Sequence, residues 1–183
     1  MRTLSICIVT YLPAPAVLAA TLASLEAALL RLQAERGYTA TLWIVDNSPR
    51  YNQASMPRRI PGEVHTLHGQ GNIGFGRGHN LCLDREGGVG ELHLVLNPDV
   101  ELAEDALVAA VDFMESHPDC VLLSPDARAD DGARQYLCKR YPSVLDLALR
   151  GFAPAWLKRC FDKRLAGYEM RERDPRRFAG RRR

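Results

Sequence analysis

The sequence predicts an α/β fold, in which a mostly parallel β-sheet is flanked by helices. Short apolar runs rich in β-branched residues alternate with longer segments whose leucines recur every three or four residues. Polar and glycine-rich turns separate the two patterns, as is typical of strand–helix–strand units with right-handed connections. A chain of 183 residues is long enough to bury one substantial core.

Each element of the first half follows from a local signal. The continuous apolar run Leu4–Val9 indicates a strand that is buried on both faces. Leucines at three- and four-residue steps indicate an amphipathic helix over Ala16–Arg36, which Gly37 ends. The runs Thr41–Val45 and Val64–Leu67 indicate the second and third strands.

The remaining elements are marked by glycines, prolines and charge. A helix is predicted over Gly78–Arg85, a fourth strand over Leu92–Leu96 and a fifth over Val121–Leu123. The segment Glu101–Ser116 is predicted to be a helix, because acidic residues in its first turn complement the helix dipole. The other predicted segments are a polar loop at Tyr51–Pro61, short amphipathic helices at Ser143–Phe152 and Pro154–Leu165, and a charged, poorly ordered tail at Tyr168–Arg183.

Charge and cysteine content limit the class of protein. The net charge is +2, but Lys158–Arg183 holds eleven Lys and Arg against four Asp and Glu, which suggests an anionic partner or a solvated end. Five cysteines without a C-x-x-C pair indicate reduced thiols and no zinc site. No signal peptide or membrane-spanning segment is expected. The chain is therefore predicted to be cytoplasmic, with peripheral association at the inner membrane face as a further expectation.

Polar residues follow four of the predicted strands, and the carboxyl ends of parallel strands meet at one edge of a sheet. If the ligand is a nucleoside diphosphate, Asp46 after the second strand can accept a hydrogen bond from a ring N–H of the base. Asp99 after the fourth strand can hold a divalent cation. The alternative is that Asp46 forms a structural turn and that Asn97 and Asp99 satisfy local backbone groups or cap the next helix.

Four motifs in order carry a resemblance to a known family: Ile8–Tyr11, Val45–Ser48, Gly71–Asn80 and Leu96–Asp99. Together they resemble the inverting family 2 glycosyltransferases with a GT-A fold, and within them the bacterial rhamnosyltransferase-like group. The resemblance covers about Met1–Tyr168. It implies a GT-A (Rossmann-like) nucleotide-binding core over residues 1–142 and a helical, basic extension over residues 143–183.

The resemblance also implies the ligands and the residues that bind them. The donor would be a dTDP- or UDP-linked sugar such as rhamnose, the cofactor Mg²⁺ or Mn²⁺, and the acceptor a cell-surface polysaccharide or a lipid-linked glycan; nucleic acid is not an expected partner. Asp99 would match the last Asp of the family's metal-binding D-x-D motif, with Asn97 in place of the first. Lys139 or Arg140 is expected near the diphosphate, with a position on the solvated surface as the equal alternative. The nucleotide pocket would be lined by Thr10, Tyr11, Asp46, Asn72, Gly74, Phe75, Asn80 and Asn97.

The sequence departs from the family in one respect. In the family, an acidic segment after the nucleotide-binding half supplies the catalytic base that deprotonates the acceptor hydroxyl. This chain ends at Arg183 before such a segment, so the acceptor half is expected to be incomplete and no catalytic residue is assigned. A catalytically incomplete nucleotide-sugar-binding module or subunit is therefore an alternative. A nucleotidyltransferase is a weaker one, because Thr10–Pro15 lacks the glycine-rich basic loop that such enzymes need.

Overall fold

The computed structural model describes residues 2–50, 60–129 and 132–135, together with residues 143, 145, 147, 149, 151, 153, 154 and 160–168. The predicted loop at Tyr51–Pro61 lies almost entirely outside the described residues. So do Lys139 and Arg140, and the tail beyond Tyr168. By its internal contacts the chain divides into two compact units, Met1–Val111 and Asp112–Arg183. The division proposed at residue 142 stays a prediction.

The first unit contains a four-stranded parallel sheet. Its strands are β1 (Thr3–Thr10), β2 (Thr39–Asp46), β3 (Gly62–His68) and β4 (Leu92–Leu96), in the order β3-β2-β1-β4. The predicted mostly parallel α/β architecture is confirmed. Since β1 and β2 lie inside the sheet and carry apolar residues on both faces, they read in the sequence as continuous apolar runs.

The two faces of the sheet are covered by different helices. On one face, Ile6 and Ile8 of β1 belong to the same buried cluster as the leucines of α1 (Pro15–Arg36) and the apolar residues of α3 (Ala106–Ser116). On the other face, Cys7 and Val9 pack with Cys82 of α2 (Phe75–Leu83). Because successive side chains of β1 point to opposite faces of the sheet, helices pack on both faces, and the first unit has three layers: helix, sheet and helix.

Helix α1 corrects the expectation that no segment could span a membrane. Among the described helices it is the one whose length and hydropathy would allow a crossing, with a mean window hydropathy of 1.5. Its leucine stripe is buried in the core of the first unit, for example at Leu25 and Leu32. A helix with a buried apolar stripe can have the same length and hydropathy, and 39% of this apolar stretch is buried in the structure.

The predicted fifth strand is wrong. Val121–Leu123 has no strand pairing within the described residues, and Val121 and Leu122 are 67% and 84% exposed. Three apolar residues between Pro118 and Pro125 are too few to specify a strand when no neighbour supplies the ladder.

The described strands of the second unit are instead a short antiparallel pair, β5 (Ala127–Arg128) and β6 (Arg134–Gln135). The predicted helix at Ser143–Phe152 is supported at the described positions, where Leu145, Leu147, Leu149 and Gly151 are helical. The helix predicted at Pro154–Leu165 is placed differently, since Pro154 is not helical and α4 runs over Asp162–Tyr168.

Two helix starts also differ from the prediction. Helix α2 begins at Phe75 because Gly74, with φ +83°, forms its N-cap, so Gly76 and Gly78 lie inside the helix and not in a loop. Helix α3 begins at Ala106, five residues later than predicted. The backbone of Leu102 donates to the Ser24 hydroxyl of α1 at 3.0 Å, which holds the preceding segment outside the helix.

Candidate functional site

The parallel register brings the ends of the strands to one edge of the sheet. Thr10 at the end of β1 pairs with Asp46 at the end of β2, and Asp46 in turn pairs with His68 at the end of β3. On the other side of β1, Ile8 pairs with Leu96 at the end of β4. The turns that follow these residues therefore leave the sheet at neighbouring positions, which is where open α/β sheets bind ligands.

Asp46 is fixed by two hydrogen bonds to one of its carboxylate oxygens. Its Oδ1 accepts from the Thr10 hydroxyl at 3.1 Å and from the Ser48 backbone N–H at 3.0 Å. The second contact is the Asx turn anticipated as the structural alternative. Thr10 and Asp46 are only 3% and 7% exposed. No described residue hydrogen-bonds to Oδ2, so the carboxylate combines a structural oxygen with a second oxygen that can serve a ligand.

The turn after β1 is tied to the turn after β2. The Ser48 hydroxyl accepts from the Leu12 backbone N–H at 2.8 Å. Leu12 has φ +45°, a left-handed conformation that costs a non-glycine residue about 1–2 kcal/mol and that this contact helps to hold. Tyr11, predicted to line the pocket, lies beside this turn with half of its surface exposed. Its contact with the nucleotide stays a prediction.

The glycine-rich segment before α2 forms a loop with three left-handed glycines, Gly69, Gly71 and Gly74. The Asn72 side-chain oxygen accepts from the Gly74 backbone N–H at 3.1 Å, so this predicted site residue shapes the loop. The Gly74 carbonyl accepts from the Asn47 side-chain amide at 3.3 Å. These contacts fix the start of α2 beside the Asp46 turn.

The first turns of α2 present the other predicted residues. Phe75 is 50% exposed, and its ring contacts that of His79 edge-on, with centroids 4.4 Å apart. Asn80, one turn later, is exposed. Gly78 faces β1, where an added Cβ would lie 2.8 Å from both Val9 methyl carbons. The close approach of α2 to β1 thus depends on a missing side chain.

The turn after β4 carries Asn97 and Asp99, both exposed. It is anchored by Thr21 of α1, whose hydroxyl donates to the Pro98 carbonyl at 3.0 Å. Among the described residues there is no cluster of three or more His, Cys, Asp or Glu that could hold a metal by itself. One carboxylate and one amide oxygen suit a cation such as Mg²⁺ only when the bound ligand supplies further oxygens, as diphosphates commonly do.

A buried histidine, His79, and a partly buried one, His93, lie on the sheet face covered by α2. His79 is 6% exposed, and neither ring nitrogen has a hydrogen-bond partner among the described residues. The His93 Nδ1 lies 2.8 Å from the Ser5 hydroxyl, whereas no described residue hydrogen-bonds to its Nε2. Burial lowers the pKa of both rings, and the neighbouring His93 lowers the pKa of His79 further. Both imidazoles are therefore held neutral at physiological pH.

The sequence predicts Asp46 as a site residue, but it does not place the neighbouring amides of Asn47 and Gln70 in the predicted pocket. The Gln70 side-chain amide donates to the Asp46 carbonyl at 3.0 Å and to Asn47 Oδ1 at 3.2 Å. A glutamine between two glycines, directly after a strand, is the signal that could have identified it. Arg140, the predicted diphosphate contact, lies outside the described residues.

Comparison with known proteins shows the family to which this chain belongs. The crystal structure of S. aureus TarS 1–349 is similar, with 18% sequence identity and a TM-score of 0.45 over 78% of this chain and 39% of that chain. The chain thus spans 39% of the length of the solved structure. A search of curated proteins gives no significant match. The profile of Glycosyl transferase family 2 matches residues 5–176, and the chain therefore belongs to this family, whose fold is GT-A.

Proposed function

We propose that this chain binds a nucleoside-diphosphate sugar at the carboxyl-terminal edge of its sheet and takes part in transfer of the sugar to a glycan acceptor. The observation that carries the proposal is the buried Thr10–Asp46 pair, which fixes one carboxylate oxygen and leaves the other without a described partner. Family membership supports the same reaction class, because family 2 enzymes use nucleotide-sugar donors.

Asp46 is proposed to recognise the base. A carboxylate oxygen accepts a hydrogen bond from the imide N–H of uracil or thymine, and such a charged bond contributes about 1.5–3 kcal/mol. Cytosine presents an acceptor at the same ring position and would be disfavoured. Guanine also offers a ring N–H, so GDP is included in the binding test below. Because the sequence resembles the rhamnosyltransferase-like group, we propose a dTDP- or UDP-sugar as the donor, with dTDP-rhamnose as the first candidate.

Asp99 and Asn97 are proposed to hold Mg²⁺ or Mn²⁺ together with the diphosphate. The cation, when bound, neutralises negative charge on the diphosphate leaving group. The chain's own contribution is to position these two oxygen ligands, and the Thr21 contact to Pro98 fixes the turn that carries them. Tyr11, Phe75 and Asn80 are proposed to contact the nucleotide from the neighbouring turn and helix, in keeping with their exposure.

A lipid-linked or cell-surface acceptor would place the protein at the inner face of the membrane. Leu145 and Leu147 are helical and 45% and 54% exposed, and basic residues are frequent in the following sequence. Apolar side chains beside Lys and Arg favour an anionic lipid surface. Co-sedimentation with vesicles containing phosphatidylglycerol at low salt is expected, and protein that stays in the supernatant would contradict peripheral association.

The donor proposal is tested by isothermal titration calorimetry of the purified chain with UDP, dTDP, GDP and CDP in the presence of Mn²⁺. Tighter binding of UDP or dTDP than of CDP is the expected result, and Glu63→Gln, at an exposed carboxylate on β3, should behave as the unaltered chain does. Equal or undetectable binding of all four would overturn the proposal.

Activity is measured separately from binding. Release of UDP or dTDP from the matching sugar donors, with and without glycan acceptors, would show turnover. Binding without turnover would favour a nucleotide-sugar-binding module. Release of pyrophosphate from a nucleoside triphosphate and a sugar phosphate would point to a nucleotidyltransferase instead.

A further inference from the structure

The turn after β1 has a backbone conformation that its own sequence disfavours. Leu12 is the one described residue other than glycine with a positive φ, +45°. Left-handed backbone is disfavoured for leucine, and a residue before proline, here Pro13, ordinarily takes extended backbone. Leu12 is 64% exposed, so burial of its apolar side chain offsets little of this strain. The conformation therefore depends on a contact from another segment.

Ser48, in the turn after β2, supplies that contact. Its hydroxyl accepts from the Leu12 backbone N–H at 2.8 Å, and Ser48 is only 7% exposed. The Ser48 backbone N–H donates separately to Asp46 Oδ1 at 3.0 Å. Ser48 thus contacts both turns through different atoms. The hydroxyl contact can be removed by substitution while the backbone contact to Asp46 stays available.

Tyr11 lies between the two points at which these turns are joined. On one side of it, the Thr10 hydroxyl donates to Asp46 Oδ1 at 3.1 Å. On the other side, Leu12 donates to Ser48. Tyr11 is 51% exposed, and an exposed aromatic ring next to a base-recognising carboxylate suits the face of a nucleobase. Backbone strain at functional sites commonly serves to aim a neighbouring side chain.

We propose that Ser48 is a positioning residue, which holds Leu12 in its left-handed conformation and thereby presents Tyr11 to the base that Asp46 recognises. The inference rests on the proposed donor function and deepens it. Asp46 selects the base by a hydrogen bond at the edge of the ring, whereas Tyr11 packs on its face. Ser48 acts on the second of these contacts without touching the nucleotide.

The test compares UDP with CDP. Calorimetry in the presence of Mn²⁺ gives the Kd of both nucleotides for the unaltered chain, Ser48→Ala and Ser48→Thr. Ser48→Ala loses the acceptor toward Leu12 but keeps the backbone N–H toward Asp46. We expect the Kd of UDP and of CDP to rise by the same factor, about three- to tenfold, because every base offers a face for stacking. Ser48→Thr keeps the hydroxyl and should restore both affinities.

A double-mutant cycle shows whether Ser48 acts through Tyr11. Tyr11→Ala should raise the Kd of both nucleotides about fivefold or more, since it removes the stacking partner. In the Tyr11→Ala background, Ser48→Ala should add less than about twofold, because two residues that act through one contact are not additive. A change in general stability would not produce this dependence on Tyr11.

Two further variants separate positioning from stability. Leu12→Pro removes the same hydrogen bond and the left-handed φ at an exposed position, and it should reproduce the equal loss even if Ser48→Ala does not fold. Ser5→Ala is the matched control, because its hydroxyl also accepts from a backbone N–H, that of Gly90 at 3.0 Å, near the other end of β1. It should leave both Kd values unchanged. Far-ultraviolet circular dichroism reports whether each variant is folded.

The outcomes separate this inference from the proposed function. A selective loss of UDP affinity in Ser48→Ala would mean that Ser48 acts through Asp46, and would overturn the inference alone. Losses that add to those of Tyr11→Ala, or an unchanged affinity in Tyr11→Ala, would overturn it as well. So would unchanged affinity in folded Ser48→Ala or Leu12→Pro. Failure of the unaltered chain to bind UDP or dTDP would overturn the proposed function, and the inference with it.

Discussion

Gly78 of α2 lies so close to Val9 of β1 that an added Cβ would stand 2.8 Å from both valine methyl carbons. The contact lies one residue before Thr10 and one helical turn after Gly74. It therefore sets the spacing between the helix that begins at the glycine loop and the strand that carries the Thr10–Asp46 pair. Packing of this kind leaves no room for adjustment, since protein interiors are close-packed.

Substituting Gly78 by Ala should destabilise the fold by about 1–3 kcal/mol, because the new methyl group overpacks the helix–strand contact. Urea unfolding measures the change. Gly76→Ala is the matched control: it lies in the same helix, has nothing within 4 Å of its added Cβ, and should stabilise by about 0.5–1 kcal/mol. Val9→Ala should partly rescue Gly78→Ala. A neutral Gly78→Ala would contradict the close contact.

Asp46→Ala should weaken UDP binding by about tenfold to a hundredfold and CDP binding far less, because only uracil donates a ring N–H to the carboxylate. Asp46→Asn should reduce the preference for UDP over CDP further, since the new side-chain amide N–H₂ can donate to the cytosine ring nitrogen. Calorimetry with both nucleotides measures the difference. A uniform loss for UDP and CDP would assign Asp46 a structural role only.

Asp99→Ala should reduce the Mn²⁺-supported affinity for UDP about tenfold or more, to the level that the unaltered chain shows in EDTA. The reason is that Asp99 is the one carboxylate on the turn after β4 that could share a cation with the diphosphate. Asp84→Ala, at the exposed C-cap of α2, is the control. Equal UDP affinity with Mn²⁺ and with EDTA would remove the metal from the proposal.

Acid should destabilise the first unit through His79 and His93. Burial lowers the pKa of both rings below the ordinary value of 6.5, so the unfolded chain binds more protons than the folded chain below that pH. The free energy of unfolding should therefore be highest above about pH 6.5 and fall as the pH drops through the unfolded pKa toward the folded values.

The described contacts of these rings are with neutral groups: the Ser5 hydroxyl lies against His93, and the Phe75 ring lies against His79. Ser5 and Cys7 of β1, Cys82 of α2 and Trp43 of β2 are neutral side chains on this face; burial raises the pKa of both thiols. The charged residues of α2 and the turn after it are exposed: Arg77, Asp84, Arg85, Glu86 and Glu91.

Replacing one histidine tests the origin of this acid sensitivity. His79→Leu should flatten the pH dependence of the urea midpoint between pH 7 and pH 5, because it removes a buried group that must be neutral in the folded chain. His65→Gln, at a histidine of β3 whose side chain is 41% exposed, is the control for loss of an imidazole elsewhere in the sheet. An equal slope in His79→Leu and the unaltered chain would assign the acid sensitivity to other groups.

The elements that sequence alone predicted well are those with a long, one-sided apolar pattern. The stripe ending at Gly37 located α1 to within one residue, and the buried run at Leu4–Val9 located β1. Val121–Leu123 failed because a strand needs a neighbouring ladder, and three apolar residues do not specify one. The start of α2 was missed because glycines at 76 and 78 argue against a helix, although close packing on Val9 requires one of them.

The candidate site was predictable where a side chain sits directly at a strand end. Thr10 and Asp46 are adjacent because parallel register alone pairs them. Asn47 could not be assigned in the same way, because its role depends on loop contacts such as the hydrogen bond from Gln70, which lies 23 residues later in the chain. The two ring nitrogens of His79, which have no hydrogen-bond partner among the described residues, are likewise a property of the packed fold that spacing does not reveal.

The position of β1 inside the sheet has a consequence for biosynthesis. Ser5 of β1 lies against His93 of β4, 88 residues later, and Ile8 pairs with Leu96. One edge of β1 therefore stays without its partner until the ribosome has released β4, and such non-local pairing is slow and exposed to misassembly. Newly made β1 is thus the strand of the described sheet for which protection by a chaperone matters most.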